Sequence, residues 1–305
     1  IILITYKRKA DIHHARGYLL TYGLVKNNLQ SVIFDMRSLW VLENISAGNL
    51  ISDSKLTNRW FELERKSILC SRFCVGVSKA MGDYVQRIHQ EVDFKLIPIS
   101  VNFDKFKFDG HSRKQIRVKQ GWEKELVMVY SGSLGLSRIN LETLQSILIT
   151  LKNKLPELKG IAISEEPKQL FIDLFRRANF KENDYLISNS KEISIDKILS
   201  AADFGIHALP LQLDSETRLG TKVAEYLMNG LPIIVNENVG AAAEIVEKNK
   251  LGYVFENIND ITFNNIKKTG CDWRKFSSKA SVEYAKNNFA SEKIVEMYNS
   301  LYMNI

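Results

Sequence analysis

DFGIHALPLQLDSETRLGTKVAEYLMNGLPIIVNENVGAAAEIVE, residues 203–247, passes twice through one device: an apolar strand, a glycine-containing turn, then a helix. The strand FGIHAL (204–209) gives way to a polar loop. Gly220 then opens an apolar pattern of Leu219, Val223, Tyr226 and Leu227 that fits a helix with one buried face. Pro232 starts a second strand, PIIVNE, followed by Val239-Gly240-Ala241 and a helix through Ile245 and Val246. Two helix N-termini therefore open at the same sheet edge, and their first-turn N–H groups and dipoles suit an anion such as phosphate.

Working outward, strand and helix patterns alternate along the chain. The first half reads as strands IILITY (1–6), SVIFDM (31–36), FCVGVS (73–78) and FKLIPIS (94–100), with helices through 15–25, 60–69 and 79–88. The second half reads as ELVMVYSGS (125–133), KGIAIS (159–164), YLISNS (185–190), FGIHAL, PIIVNE and LGYVF (251–255). Alternation of this kind predicts an α/β protein with parallel sheets and helices on both faces. The polar stretch 102–120 is the candidate linker, and 291–303 reads as an amphipathic terminal helix.

Composition bounds the class. The 305 residues are 45% hydrophobic and 25% charged, ordinary globular values with room for two domains. No apolar run approaches the roughly 18 residues that span a membrane, and no signal-peptide pattern occurs. Three cysteines are too few for a disulfide framework; Cys70 and Cys74, one helical turn apart, read as reduced core residues or, alternatively, metal ligands. The net charge of +7 is scattered in short clusters such as Lys7-Arg8-Lys9 and Lys267-Lys268, without a basic stripe interleaved with aromatics, so no nucleic-acid partner is expected. A solvated surface or peripheral contact with an anionic membrane accounts for the charge.

The 203–247 run, with DIHHARGYLL (11–20), VIFDMRSLW (32–40), FCVGVSKAMGDYV (73–85), LIPISVNFDKF (96–106) and VYSGSLG (129–135), resembles the retaining nucleotide-sugar glycosyltransferases of family 4 and their neighbours, of GT-B fold. The resemblance implies two Rossmann-like, doubly wound parallel-sheet domains facing a cleft. Residues 1–103 would form the acceptor-side domain, 104–290 the donor-binding domain, and 291–305 a helix returning to the first. Four strands against six leave the first domain incomplete at its start, as in an N-terminally truncated chain.

Site residues follow from the same resemblance. The family signature places a glutamate, seven residues, then a second glutamate, which contact the donor sugar and the ribose. Here the second is Glu225, whose carboxylate can accept from two hydroxyls or pair with Lys222 at i, i+3. The first falls on Thr217, a departure at the sugar contact. Gly220 and Thr221 would approach the sugar-phosphate, and Gly240 and Ala241 the diphosphate or form an ordinary turn. In the loop Gly132-Ser133, Ser133 stands where the family has arginine, and Arg138 replaces its lysine as phosphate clamp or is a surface arginine. His14 would contact the donor sugar or diphosphate, or be an ordinary loop histidine. His13, Arg16, Asp35 and Arg37 would lie at the strand ends on the acceptor side, with an Asp35–Arg37 salt bridge as the alternative. Ser78 would cap the helix that Lys79 begins.

No Asp-x-Asp metal motif, nucleophile elbow, dinucleotide fingerprint or Cys/His metal spacing occurs in the sequence. The implied activity is sugar transfer from a nucleotide diphosphate to a glycan or lipid-linked acceptor hydroxyl, retaining and metal-independent. No cofactor is implied, since the nucleotide-sugar is a substrate. The setting implied is cytoplasmic, at the inner membrane face, in polysaccharide or lipopolysaccharide assembly. Alternatives are a nucleotide-sugar epimerase on the same fold, or a non-catalytic sugar-nucleotide-binding subunit, which the replacements at Thr217 and Ser133 would favour.

Overall fold

A computed structural model of the protein describes residues 10–135, 139, 141–261 and 273–305. Chain contacts divide it into two compact units: Ile1–Pro98 with Gln212–Arg218 and Ile294–Ile305, and Ile99–Leu211 with Leu219–Lys293. The principal cut therefore falls at 98/99, where 103/104 was expected.

In the first unit, β1 (His13–Arg16), β2 (Val32–Asp35), β3 (Phe73–Gly76) and β4 (Phe94–Leu96) pair in that order, all parallel. They are crossed by α1 (Tyr18–Lys26), α2 (Trp40–Ser46), α3 (Lys55–Cys70) and α4 (Lys79–Ile88). β2 and β3 are buried along their whole length, as strands covered on both faces must be. Ser54 and Ser78 accept the Thr57 and Met81 amides at the starts of α3 and α4, so Ser78 is a cap as expected.

Several readings are corrected. The helix expected from Ala15 starts only at Tyr18, because Ala15 and Arg16 are paired with Phe34 and Asp35, and Gly17 turns the chain at φ 95. His13, His14 and Arg16 therefore all belong to a strand, so His14 is not a loop histidine; the strand expected at 1–6 lies outside the described residues. Cys70 ends α3 and is exposed, whereas Cys74 is buried in β3, so the two do not share a helix face. Burial pushes the Cys74 thiol up to about 12, which leaves it inert.

In the second unit, the candidate linker is helical: α5 (Phe103–Phe106) and α6 (Gly110–Gln120) are capped by Asn102 and Asp109. Two of its charges are structural. Arg113 and Arg117 reach 2.7 and 2.5 Å from the two carboxylate oxygens of Asp203, and both also donate to the Ala201 carbonyl at the end of α9 (Ile195–Ala201). All six expected strands form: β5 (Val127–Ser131), β6 (Lys159–Ile163), β7 (Tyr185–Ser188), β8 (Phe204–His207), β9 (Ile233–Asn236) and β10 (Gly252–Phe255), with α7 (Leu141–Lys154), α8 (Lys168–Arg177) and, after β10, α12 (Trp273–Phe289) in the same unit. Their order is β10-β9-β8-β5-β6-β7, and every pair is parallel. This is the doubly wound order in which the winding reverses between β5 and β8; ligands of such sheets bind outside the carboxyl ends of the strands at that point.

A buried triad braces the opposite end of the same sheet. Lys152 and Lys159 donate to the two oxygens of Asp184 at 2.9 and 2.6 Å. Burial alone would raise this carboxyl, but the hydrogen bonds from Lys159 and Lys152 outweigh it and bring Asp184 from 3.8 to about 2. A depressed carboxyl stabilises the fold above its unfolded pKa, and this contribution disappears as pH falls from about 4 towards 2. Acid unfolding followed by circular dichroism is expected to show that loss, and Asp184→Asn to remove the part of the slope in that window.

The terminal helix, α13 (Ser291–Tyr302), contributes to the first unit. Ile294 and Leu301 join Ile33, Phe73, Val75 and Ile97 in one buried cluster. Among the described residues, no helix is long and apolar enough to cross a membrane.

Candidate functional site

The carboxyl ends of β5 and β8 define the candidate site of the second unit. After β5, the Gly132 amide donates to the Ile163 carbonyl at 3.0 Å, and the Ser133 carbonyl accepts from the Tyr130 hydroxyl at 3.0 Å. The Gly132 amide thus holds the loop to β6. A Cβ at Gly132 would lie 3.1 Å from the Tyr130 hydroxyl, so a larger residue would press on that anchor. Arg138, the expected phosphate clamp, lies outside the described residues.

After β8, the helix α10 (Thr221–Met228) starts at Gly220, with no side-chain cap among the described residues. The Val223 amide donates to the Gly220 carbonyl at 3.0 Å, so the first-turn amides suited to a ligand are those of Thr221 and Lys222. Val223, Ala224, Tyr226, Leu227 and Met228 are buried, as the sequence pattern required. Tyr226 fixes the helix to the switch point: its hydroxyl accepts the Ser131 amide at 2.8 Å and donates to the Ile206 carbonyl at 3.4 Å. Sequence reading saw Tyr226 only as an apolar-face residue.

Glu225 points its carboxylate at Lys222, 2.8 Å away, the i, i+3 pair set out as the alternative to ribose binding. The pair is largely buried, with side-chain exposures of 26% for lysine and 12% for glutamate, so the carboxylate has a fixed position rather than a solvated one. Gly240 and Ala241 open α11 (Gly240–Lys248), again without a side-chain cap among the described residues. Asn236, at the end of β9, was missed by sequence. It exchanges two hydrogen bonds with the Leu209 backbone, at 3.0 and 2.7 Å, and so fixes the course of the chain leaving β8.

Thr217 belongs to the segment that clusters with the first unit. Its hydroxyl donates to the Asp214 carbonyl, and its own carbonyl accepts from the Ser78 hydroxyl, each at 2.8 Å. Asp214, 1% exposed, holds Arg218 through two hydrogen bonds of 2.7 and 2.9 Å. The turn that carries Thr217 is thus built from its own side chains.

Also in the first unit, the expected acceptor-side residues converge with His14. Asp35, at the end of β2 and buried, receives Arg37 at 3.0 Å and lies 3.5 Å from the His14 ring; Arg37 adopts φ 56 to make its contact. His14 Nδ1 is 2.7 Å from the Tyr302 hydroxyl, and Tyr298 lies 3.4 Å from Asp35. Burial and the neighbouring Asp35 push the Tyr298 phenol up to about 12, so it stays protonated and donating. The Asp35–Arg37 salt bridge named as the alternative is present, joined by two tyrosines of α13 that sequence did not suggest. Arg16 is exposed, in register with Asp35 across β1 and β2.

Comparison with known proteins agrees with this architecture. The family described as glucosyltransferase 3-like, C-terminal domain, matches residues 212–279. Sucrose-phosphate synthase from Thermosynechococcus elongatus is 17% identical with a TM-score of 0.72, over 95% of this chain and 72% of that one. HepE from Anabaena, solved with UDP, is 13% identical with a TM-score of 0.74, over 96% of this chain and 79% of that one. WaaG, a glycosyltransferase involved in lipopolysaccharide biosynthesis, is 14% identical with a TM-score of 0.67, over 96% and 77%. No curated protein sequence matches. The chain thus shares the GT-B fold of these structures, with a parallel sheet in each unit.

Proposed function

We propose that the protein transfers a sugar from a nucleoside-diphosphate donor to an acceptor hydroxyl, and that the second unit binds the donor. One observation carries this reading: the sheet reverses its winding between β5 and β8, and α10, the next α-helix after β8, starts at Gly220 without a side-chain cap among the described residues. Diphosphate oxygens would lie against the α10 amides, with Gly240 and Ala241 at the start of α11 as a second set. Glu225, held in place by Lys222, would accept the ribose hydroxyls. Cleavage of the sugar-phosphate bond builds negative charge on the leaving diphosphate, and helix dipoles stabilise it without a metal. Arg138 would add a cation there.

UDP in the HepE structure supports a uridine donor, and WaaG's part in lipopolysaccharide biosynthesis supports a cell-surface glycan or lipid-linked acceptor. A retained anomeric configuration and peripheral contact with an anionic membrane belong to the same proposal. The first unit would bind the acceptor. There the His14, Asp35, Arg37, Tyr298 and Tyr302 cluster would order the acceptor side through α13, rather than contact the donor.

Calorimetric titration with UDP, GDP and ADP, without added metal, tests the reading. One nucleotide is expected to bind, and Glu225→Ala to weaken it by roughly tenfold, about the worth of a charge-assisted hydrogen bond. A folded protein that binds none of the three would remove the donor assignment. Binding without transfer to any acceptor would favour a non-catalytic subunit, and conversion of a nucleotide-sugar to its isomer would favour an epimerase.

A further inference from the structure

His207 ends β8, one of the two strands that flank the switch point, and no sequence motif singled it out. Its ring is partly buried, but Nε2 is fully shielded and has no hydrogen-bond partner among the described residues. The ring lies against the start of α10: a Cβ built on Gly220 would be 2.8 Å from its Cε1 and 3.2 Å from its Nε2. Gly220 itself has φ −73, an ordinary value for any residue, so its lack of a side chain answers to the imidazole and not to backbone strain.

We propose that His207 is a donor-binding residue, its Nε2–H donating to a phosphate oxygen of the nucleoside diphosphate held at the first turn of α10. The inference rests on the donor reading above and adds a contact to it. A shielded ring nitrogen without a partner is costly, and a ligand oxygen beside Gly220 would satisfy it. Burial lowers the imidazole to about 4, so at neutral pH the ring is uncharged and offers one N–H to an acceptor. Glycine at 220 then has a double use, admitting both the imidazole and the phosphate to the same turn.

The test is nitrogen NMR of histidine-labelled protein at pH 7.5, titrated with whichever of UDP, GDP and ADP binds tightest. The resonance absent from His207→Phe is expected to shift at Nε2 on saturation. His207→Phe is expected to lose about tenfold in affinity, while His207→Gln, which keeps an N–H near the same place, retains most of it. An Nε2 resonance unmoved at saturation, or equal affinity for folded His207→Phe, overturns this inference and leaves the donor reading standing. Failure of the wild type to bind any of the three overturns both. The NMR measurement is made on the wild type, so it decides the matter even if His207→Phe does not fold.

Discussion

Replacement of Asp203 by alanine is expected to cost about 3–5 kcal/mol, as removal of one partner from a buried ion pair does. Asp203 is 6% exposed and pairs with two guanidiniums, Arg113 and Arg117. It also accepts the Val127 amide at 2.8 Å, where β5 begins. Without it, Arg117 remains buried beside the carbonyls of Ala201, Trp122 and Glu125, with its charge uncompensated. Urea unfolding should show a lower midpoint with an unchanged slope. Asp203→Asn keeps an acceptor for the amide but not the charge, and should fall between the two. If Asp203→Ala unfolds at the wild-type midpoint, the guanidiniums have other means of compensation and α6 does not depend on this carboxylate.

Gly205→Ala is expected to damage stability and donor binding together. A Cβ at position 205 would lie 2.5 Å from the ring of Tyr226, which is fully buried and has nowhere to retreat. Overpacking of this kind costs about 1–3 kcal/mol. Displacing the ring also breaks its hydroxyl from the Ser131 amide and the Ile206 carbonyl, which tie α10 to the ends of β5 and β8. Nucleotide affinity should therefore fall with stability in calorimetry and thermal unfolding. Adding Tyr226→Leu to Gly205→Ala relieves the clash, so packing should recover while affinity stays reduced. Full recovery of affinity in the double variant would show that the Tyr226 hydroxyl has no part in shaping the site.

Much of the fold was legible because its signals are local. β-branched runs such as Ile233-Ile234-Val235 and the spacing of Val223, Tyr226 and Leu227 require burial whatever surrounds them, and the structure buries all six. The stretch 102–120 was misread because its composition is that of a solvated loop. Two of its arginines are used inside the fold, against Asp203, which lies some 90 residues away in sequence. Glu225 was legible as the partner of Lys222 from helical spacing, and as a candidate ligand through the family resemblance. His207, Asn236 and the two tyrosines of α13 carried no signal, because their partners lie in other elements.

By itself, then, the sequence determined the alternating α/β architecture, all six strands of the second sheet, and the helix that opens at Gly220, for periodicity and turn chemistry act over a few residues. Only the tertiary structure decided the strand order that puts β8 beside β5, the gathering of His14, Asp35 and Arg37 with Tyr298 and Tyr302, and the imidazole against Gly220. Those arrangements join residues far apart in the chain, and their energies come from burial and directed hydrogen bonds that exist only once the elements have packed.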